Sequence, residues 1–157
     1  MDDSSDGEFR LSGRLAPDRC TVLEKAGKNE TLETLIELLA PFAGAAGRDG
    51  LAEAVHAREK LLSTGIGLGI AIPHVRLPSA TDLVAAAALV RSGIPDYVSM
   101  DSLPVHLVVM IVARTDQHEL YLRVLSRLSS SLKDEAFRAR VFHCASSREL
   151  CELLCGC

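Results

Sequence analysis

The chain has 157 residues, enough for one domain around a single core. Its 48% hydrophobic and 24% charged content is that of a globular protein, and a formal charge of -4 offers no basic excess for the phosphates of a nucleic acid. The longest apolar run, Leu83 to Val90, is strand-sized and falls short of the roughly 18 residues of a membrane helix, so neither nucleic acid nor membrane insertion is expected.

The first residues, Met1 to Glu8, are acidic and polar, the reverse of a signal peptide's basic-then-apolar order, which predicts a cytoplasmic protein. Residues 1–15 mix Asp, Ser, Gly and Arg without periodicity and read as a mobile N-terminal arm, leaving 16–157 as the domain. A short strand is predicted at Cys20 to Leu23. Asn29 can cap a helix carrying Leu32, Leu35, Ile36 and Leu39 on one face, ended by Pro41 and the Gly44 to Gly47 stretch. A second helix, from about Asp49 to Lys60, turns Leu51, Ala54 and Val55 inward.

Ser63 to Gly69 is a glycine-rich loop, and Ile70-Ala71-Ile72 a short buried strand with His74 at its end. Leu83 to Val90 and Val105 to Ala113 are apolar without alternation, as strands covered on both faces are. Three helices follow: Gln117 to Lys133 with Leu120, Val124, Leu125, Leu128 and Leu132 inward, Asp134 to Phe142, and Ser147 to about Leu154. The alternation predicts an α/β fold, a three-layer α/β/α sandwich.

Chemistry concentrates between Arg58 and His74. Gly65, Gly67 and Gly69 alternate in a loop that can adopt positive φ and turn backbone N–H groups towards an anion. A dinucleotide fingerprint follows a strand and opens a helix, whereas this loop follows a helix and enters a strand, and no Walker Gly-Lys-Ser/Thr is present. Pro73 fixes its own φ and biases Ile72 to extended geometry, so His74 stands on a rigid stem. By position alone Arg58 is a solvated helix residue, His118 a helix-start surface histidine, and Ser63 and Thr64 either hydroxyl donors or organisers of the loop. His56, His106 and His143 show no ligand-like spacing.

The stretch Ser63-Thr64-Gly65-Ile66-Gly67-Leu68-Gly69-Ile70-Ala71-Ile72-Pro73-His74, preceded by Arg58-Glu59-Lys60, resembles the phosphorylation site of bacterial phosphotransferase-system enzyme IIA domains of the fructose, mannitol and nitrogen-regulatory type. The resemblance extends to His118, after the long strand and before a long helix, and covers the chain from about residue 16. It implies a mixed sheet of about five strands between helices, and a phosphohistidine relay in which His74 accepts phosphate on Nε2 from the small carrier protein HPr. It further implies that Arg58 and His118 lie beside the ring, with Ser63, Thr64, Gly65, Gly67 and Gly69 as a phosphate-binding loop.

Enzyme IIB or a regulated target protein would be the next partner, and no cofactor or metal enters this chemistry. The free-standing length leans towards the nitrogen-regulatory branch, a purely regulatory binding module being the alternative. Val75-Arg76 follows His74 where the family often has Gly then Lys, so a reshaped loop is expected there. Cys20, Cys144, Cys151, Cys155 and Cys157 read as reduced thiols, the tail group being inert or a three-thiolate metal site without a clear fourth ligand.

Overall fold

A computed structural model describes residues 9–157. Its sheet is assembled from β1 (Cys20–Leu23), β2 (Gly65–Gly67), β3 (Ile70–Ala71), β4 (His74–Arg76), β5 (Val84–Ile94) and β6 (Val105–Ala113). The order is β1-β5-β6-β3-β2, with β4 also on β6. β1 runs parallel to β5, β5 antiparallel to β6, and β3 and β4 both parallel to β6.

The apolar runs show no alternation because both faces of the sheet are covered. Ala85, Ala87 and Leu89 of β5 with Leu107, Val109 and Ile111 of β6 face one cluster; Ala86, Ala88 and Val90 with Val108, Met110 and Val112 face the other. The first face is closed by α3 (His118–Lys133), α4 (Glu135–Phe142) and α5 (Ser147–Cys155), the second by α1 (Lys28–Leu39) and α2 (Gly47–Leu61). These are the expected three layers. Burying a Leu or Ile of these helices contributes about 1.5–3 kcal/mol, so fully enclosed residues such as Leu35, Ile36, Leu39 and Leu51 on one flank and Leu132, Leu150 and Leu154 on the other anchor both sides of the sheet.

The helix ends follow capping chemistry where the sequence offers it. Asp134 accepts from the Phe137 N–H and Ser146 from the Glu149 N–H, which start α4 and α5. Asn29 does not cap α1: Gly27 holds that position, and the Lys28 N–H donates 2.9 Å to Asp96 Oδ1 from a loop across the sheet edge. α2 begins at Gly47, two residues before the expected Asp49, and β5 continues past Val90 to Ile94 through a register shift at which Gly93 has φ 80°.

Of the expected arm of residues 1–15, residues 1–8 lie outside the described residues, and 9–15 carry two core side chains. Leu11 and Leu15 are buried in the cluster under α5, and the Ala85 N–H donates 2.9 Å to the Arg14 carbonyl. Six strands appear rather than five because Pro73 divides one line of strand into β3 and β4. It cannot donate to β6, but its carbonyl accepts from the Ile111 N–H at 2.9 Å, so the line resumes at His74.

Candidate functional site

His74 therefore opens β4 instead of ending β3, and pairs with Ile111 in the last third of β6. The half-buried ring donates from Nδ1 to the carbonyl of Ile72 at 2.6 Å. A carbonyl only accepts, so this bond fixes the tautomer with the proton on Nδ1 and the lone pair on Nε2. Burial lowers the imidazole below its ordinary 6.5, opposed by the Ile72 bond; Arg58 charge lowers it further and Glu59 charge raises it. The ring is thus held neutral, with Nε2 as a free base.

Its cover comes from α3. Tyr121 packs 5.4 Å from the His74 ring between centroids, tilted by 58°. Burial pushes the Tyr121 phenol up to about 12, so it keeps its proton. The Arg76 guanidinium lies over the Tyr121 ring, 5.8 Å from its centroid. Tyr121 was not among the expected site or core residues; the signal for it lies in its spacing with Val124, Leu128 and Leu132, the other buried residues of α3, whereas Leu120 and Leu125 are only partly buried.

The sequence-predicted residues separate into two groups. Arg58, in the last turn of α2, donates from Nη1 to the Leu62 carbonyl at 2.8 Å and stands within electrostatic reach of both His74 and Tyr121. Thr64 comes close through the backbone: its carbonyl accepts from the Ile72 N–H at 3.1 Å. Ser63 donates 2.6 Å to the Val98 carbonyl. His118 is the first residue of α3, exposed and one turn before Tyr121, with no side-chain hydrogen bond among the described residues.

Gly67 and Gly69 belong to the other group. β2 runs antiparallel to β3, so the chain turns at Gly67, Leu68 and Gly69, all with positive φ (93°, 60° and 79°), beside the start of β6. His74 pairs four positions farther along β6 than Ile70 does, on the order of 13 Å away. The turn does bind an anion through its backbone, but the anion is internal. Leu68 N–H donates to Asp101 Oδ2 at 2.8 Å, and with the Leu103 N–H it holds that carboxyl below the usual range; Gly67 N–H donates to Ser99 Oγ at 3.0 Å.

Gly65 has a different reason to be glycine. A Cβ there would stand 2.3 Å from the Val98 carbonyl, because β2 lies directly against the 97–103 loop. After His74, Val75 is buried in extended β4 opposite Val112 without a positive φ, while Arg76 keeps a cation over the Tyr121 ring. His56 pairs with Glu33 at 2.7 Å, His106 packs on Phe142 at 5.7 Å and His143 binds the Ala139 carbonyl at 2.8 Å.

The tail thiols sit in the α5 layer. Cys151 Sγ is 3.8 Å from Cys155 Sγ, and the Cys155 thiol reaches the Leu11 and Leu15 carbonyls at 3.9 Å. Burial, aided by Cys151, pushes the Cys155 thiol up to about 12. No helix of the described residues is long and apolar enough to cross a membrane.

Over 154 residues the chain is 35% identical to the nitrogen regulatory protein of Klebsiella oxytoca, covering 96% of this chain and 93% of that one. Over 132 residues it is 33% identical to the fructose-specific EIIABC component of the Bacillus subtilis phosphotransferase system, spanning 84% of this chain but only 21% of that longer protein. The crystal structure of nitrogen regulatory protein IIA-Ntr from Neisseria meningitidis superposes with a TM-score of 0.83 at 26% identity, covering 96% and 99% of the two chains. Residues 15–155 match the family model of the phosphoenolpyruvate-dependent sugar phosphotransferase system, EIIA 2, and the chain belongs to that family.

Proposed function

We propose that the protein is a phosphocarrier that takes a phosphoryl group on Nε2 of His74 from the phosphohistidine of HPr or a paralogue. The observation that carries this reading is the bond from His74 Nδ1 to the Ile72 carbonyl in a half-buried, neutral ring. In the transfer the Nε2 lone pair forms a new N–P bond in line with the breaking N–P bond of the donor, whose imidazole takes back the electron pair. Nδ1 keeps its proton throughout. Such a transition state is loose and highly charged, so the protein's task is to orient the nitrogen and stabilise the oxygens. Arg58 of α2 acts electrostatically on the ring, and Arg76 of β4 and the exposed His118 at the start of α3 are further cationic or donor groups for the phosphoryl oxygens.

Protein partners fit the surroundings better than a small molecule. Leu61, Leu62, Ile66 and Leu68 on one segment and Val98 and Met100 on the loop hydrogen-bonded to it expose apolar side chains. The acceptor of the phosphoryl group would be an enzyme IIB, or a target protein that binds one phosphorylation state. The likeness to nitrogen regulatory proteins along nearly the whole chain favours the regulatory role, acting in the cytoplasm.

The test is incubation with phosphoenolpyruvate, enzyme I and HPr. Intact mass should gain one acid-labile phosphate, absent from His74→Ala. Undiminished labelling of that variant removes His74 from the role.

A further inference from the structure

Behind the site lies a group of side chains that the transfer chemistry leaves unused. Glu59 follows Arg58 on α2, and its carboxylate is only 6% exposed. Lys28, the first residue of α1, brings Nζ to 3.0 Å from Oε2 and lies over the Tyr97 ring at 4.6 Å. The Tyr97 hydroxyl is 3.1 Å from Glu59 Oε1 and 2.7 Å from Thr64 Oγ1, and the Thr64 hydroxyl also meets Oε1. Each hydroxyl has one proton and the carboxylate has none, so Thr64 donates to Oε1 while the Tyr97 proton is shared between Oε1 and Thr64 Oγ1; burial raises the Tyr97 phenol so that its proton stays. A carboxylate withdrawn from water this far persists only where charge and hydrogen bonds compensate its lost hydration.

The same backbone joins this group to the nucleophile. The Thr64 carbonyl accepts from the Ile72 N–H at 3.1 Å, and the Ile72 carbonyl accepts from His74 Nδ1–H at 2.6 Å. We infer that Glu59 is a positioning residue for the phosphoryl transfer: a bonded line from Lys28 through Glu59, Thr64 and Ile72 fixes the loop that aims Nε2 of His74. This rests on the relay reading of His74. Without the buried carboxylate the Thr64 side chain loses its acceptor, the Thr64 to Ile72 step loosens, and the ring samples orientations in which Nε2 is out of line with the donor.

The charge of Glu59 adds a second, independent signature. The groups facing the His74 ring are Arg58 and Glu59 from α2 and Tyr121 from α3, with Arg76 of β4 over Tyr121; Glu59 is the carboxylate among them and raises the imidazole. Its neutralisation therefore lowers the His74 pKa, a change that loosened packing, by hydrating the ring, would oppose.

The experiment measures initial phosphorylation rates against phospho-HPr concentration, with a nuclear magnetic resonance titration of the His74 ring, for Glu59→Gln, Thr64→Val and Thr64→Ser. Expected are about tenfold or greater losses of rate at saturating donor for Glu59→Gln and Thr64→Val with little change in KM, recovery in Thr64→Ser, and a lowered His74 pKa in Glu59→Gln. Wild-type rates in Glu59→Gln and Thr64→Val, or Thr64→Ser no better than Thr64→Val, overturn the inference. Should Glu59→Gln not fold, the Thr64 pair decides it. Wild-type protein that accepts no phosphate while HPr is charged overturns the relay reading itself, whereas a phosphorylated wild type with indifferent variants overturns only the positioning role.

Discussion

Tyr121 rests on His74 with 5.4 Å between ring centroids, and this contact makes a helix on one side of the sheet part of the environment of a nucleophile on its edge. Because burial is the largest influence lowering the imidazole, removing the cover has a defined sign. Tyr121→Ala should raise the His74 pKa towards 6.5, read by the ring proton shifts, and move the acid limb of the phosphorylation rate to higher pH. In the wild type the lowered value means that stability linked to neutral His74 is complete above 6.5 and is lost as pH falls through the lower folded value. An unchanged titration in Tyr121→Ala would mean that other groups exclude water from the ring.

Arg58→Ala and His118→Ala should remain folded and transfer phosphate more slowly. Each removes a donor aimed at transferring oxygens, which typically costs on the order of 2 to 4 kcal/mol of barrier. Arg58→Ala also deletes the bond to the Leu62 carbonyl at the end of α2, worth about 0.5–1.5 kcal/mol, so a small fall in Tm accompanies it and not His118→Ala. Wild-type rates in both variants would return these side chains to the solvated surface.

Gly65→Ala should destabilise the protein by about 1–3 kcal/mol and slow phosphorylation together. The added methyl meets the Val98 carbonyl, so β2 and the 97–103 loop must separate, and Thr64 sits next to the displaced residue. Denaturant unfolding with a parallel phosphorylation assay checks both effects; a stable, fully active variant would show that the loop yields without consequence.

Changing Cys151, Cys155 and Cys157 together to Ser should leave phosphorylation of His74 intact while lowering stability. Cys151 and Cys157 are buried, and each new hydroxyl without a partner costs about 1 to 3 kcal/mol. The Cys155 thiol contacts the Leu11 and Leu15 carbonyls and the Cys157 thiol the Leu153 carbonyl, and the relay uses nitrogen and oxygen-directed donors. A folded triple variant unable to accept phosphate would assign the thiols to a second site.

The sequence by itself determined what neighbouring residues decide. Cys20–Leu23 and Val105–Ala113 form strands over the predicted bounds because a short apolar run has one stable use, and Asp134 and Ser146 cap helices through N–H groups three residues ahead. The fixed stem of His74 was legible too, since Pro73 restricts the chain on either side of it. What only the tertiary structure decided spans tens of residues: Tyr121 over His74, Glu59 between Lys28, Tyr97 and Thr64, and Asp101 on the turn at Leu68. That the turn at Gly67, Leu68 and Gly69 holds the Asp101 carboxylate depended on where the 97–103 loop lay. Leu11 and Leu15 likewise looked unpatterned until the buried face of α5 gave them a partner. Local propensity acts within a few bonds, whereas burial and charge act through space, and the register of strands on β6 determines which distant side chains share that space.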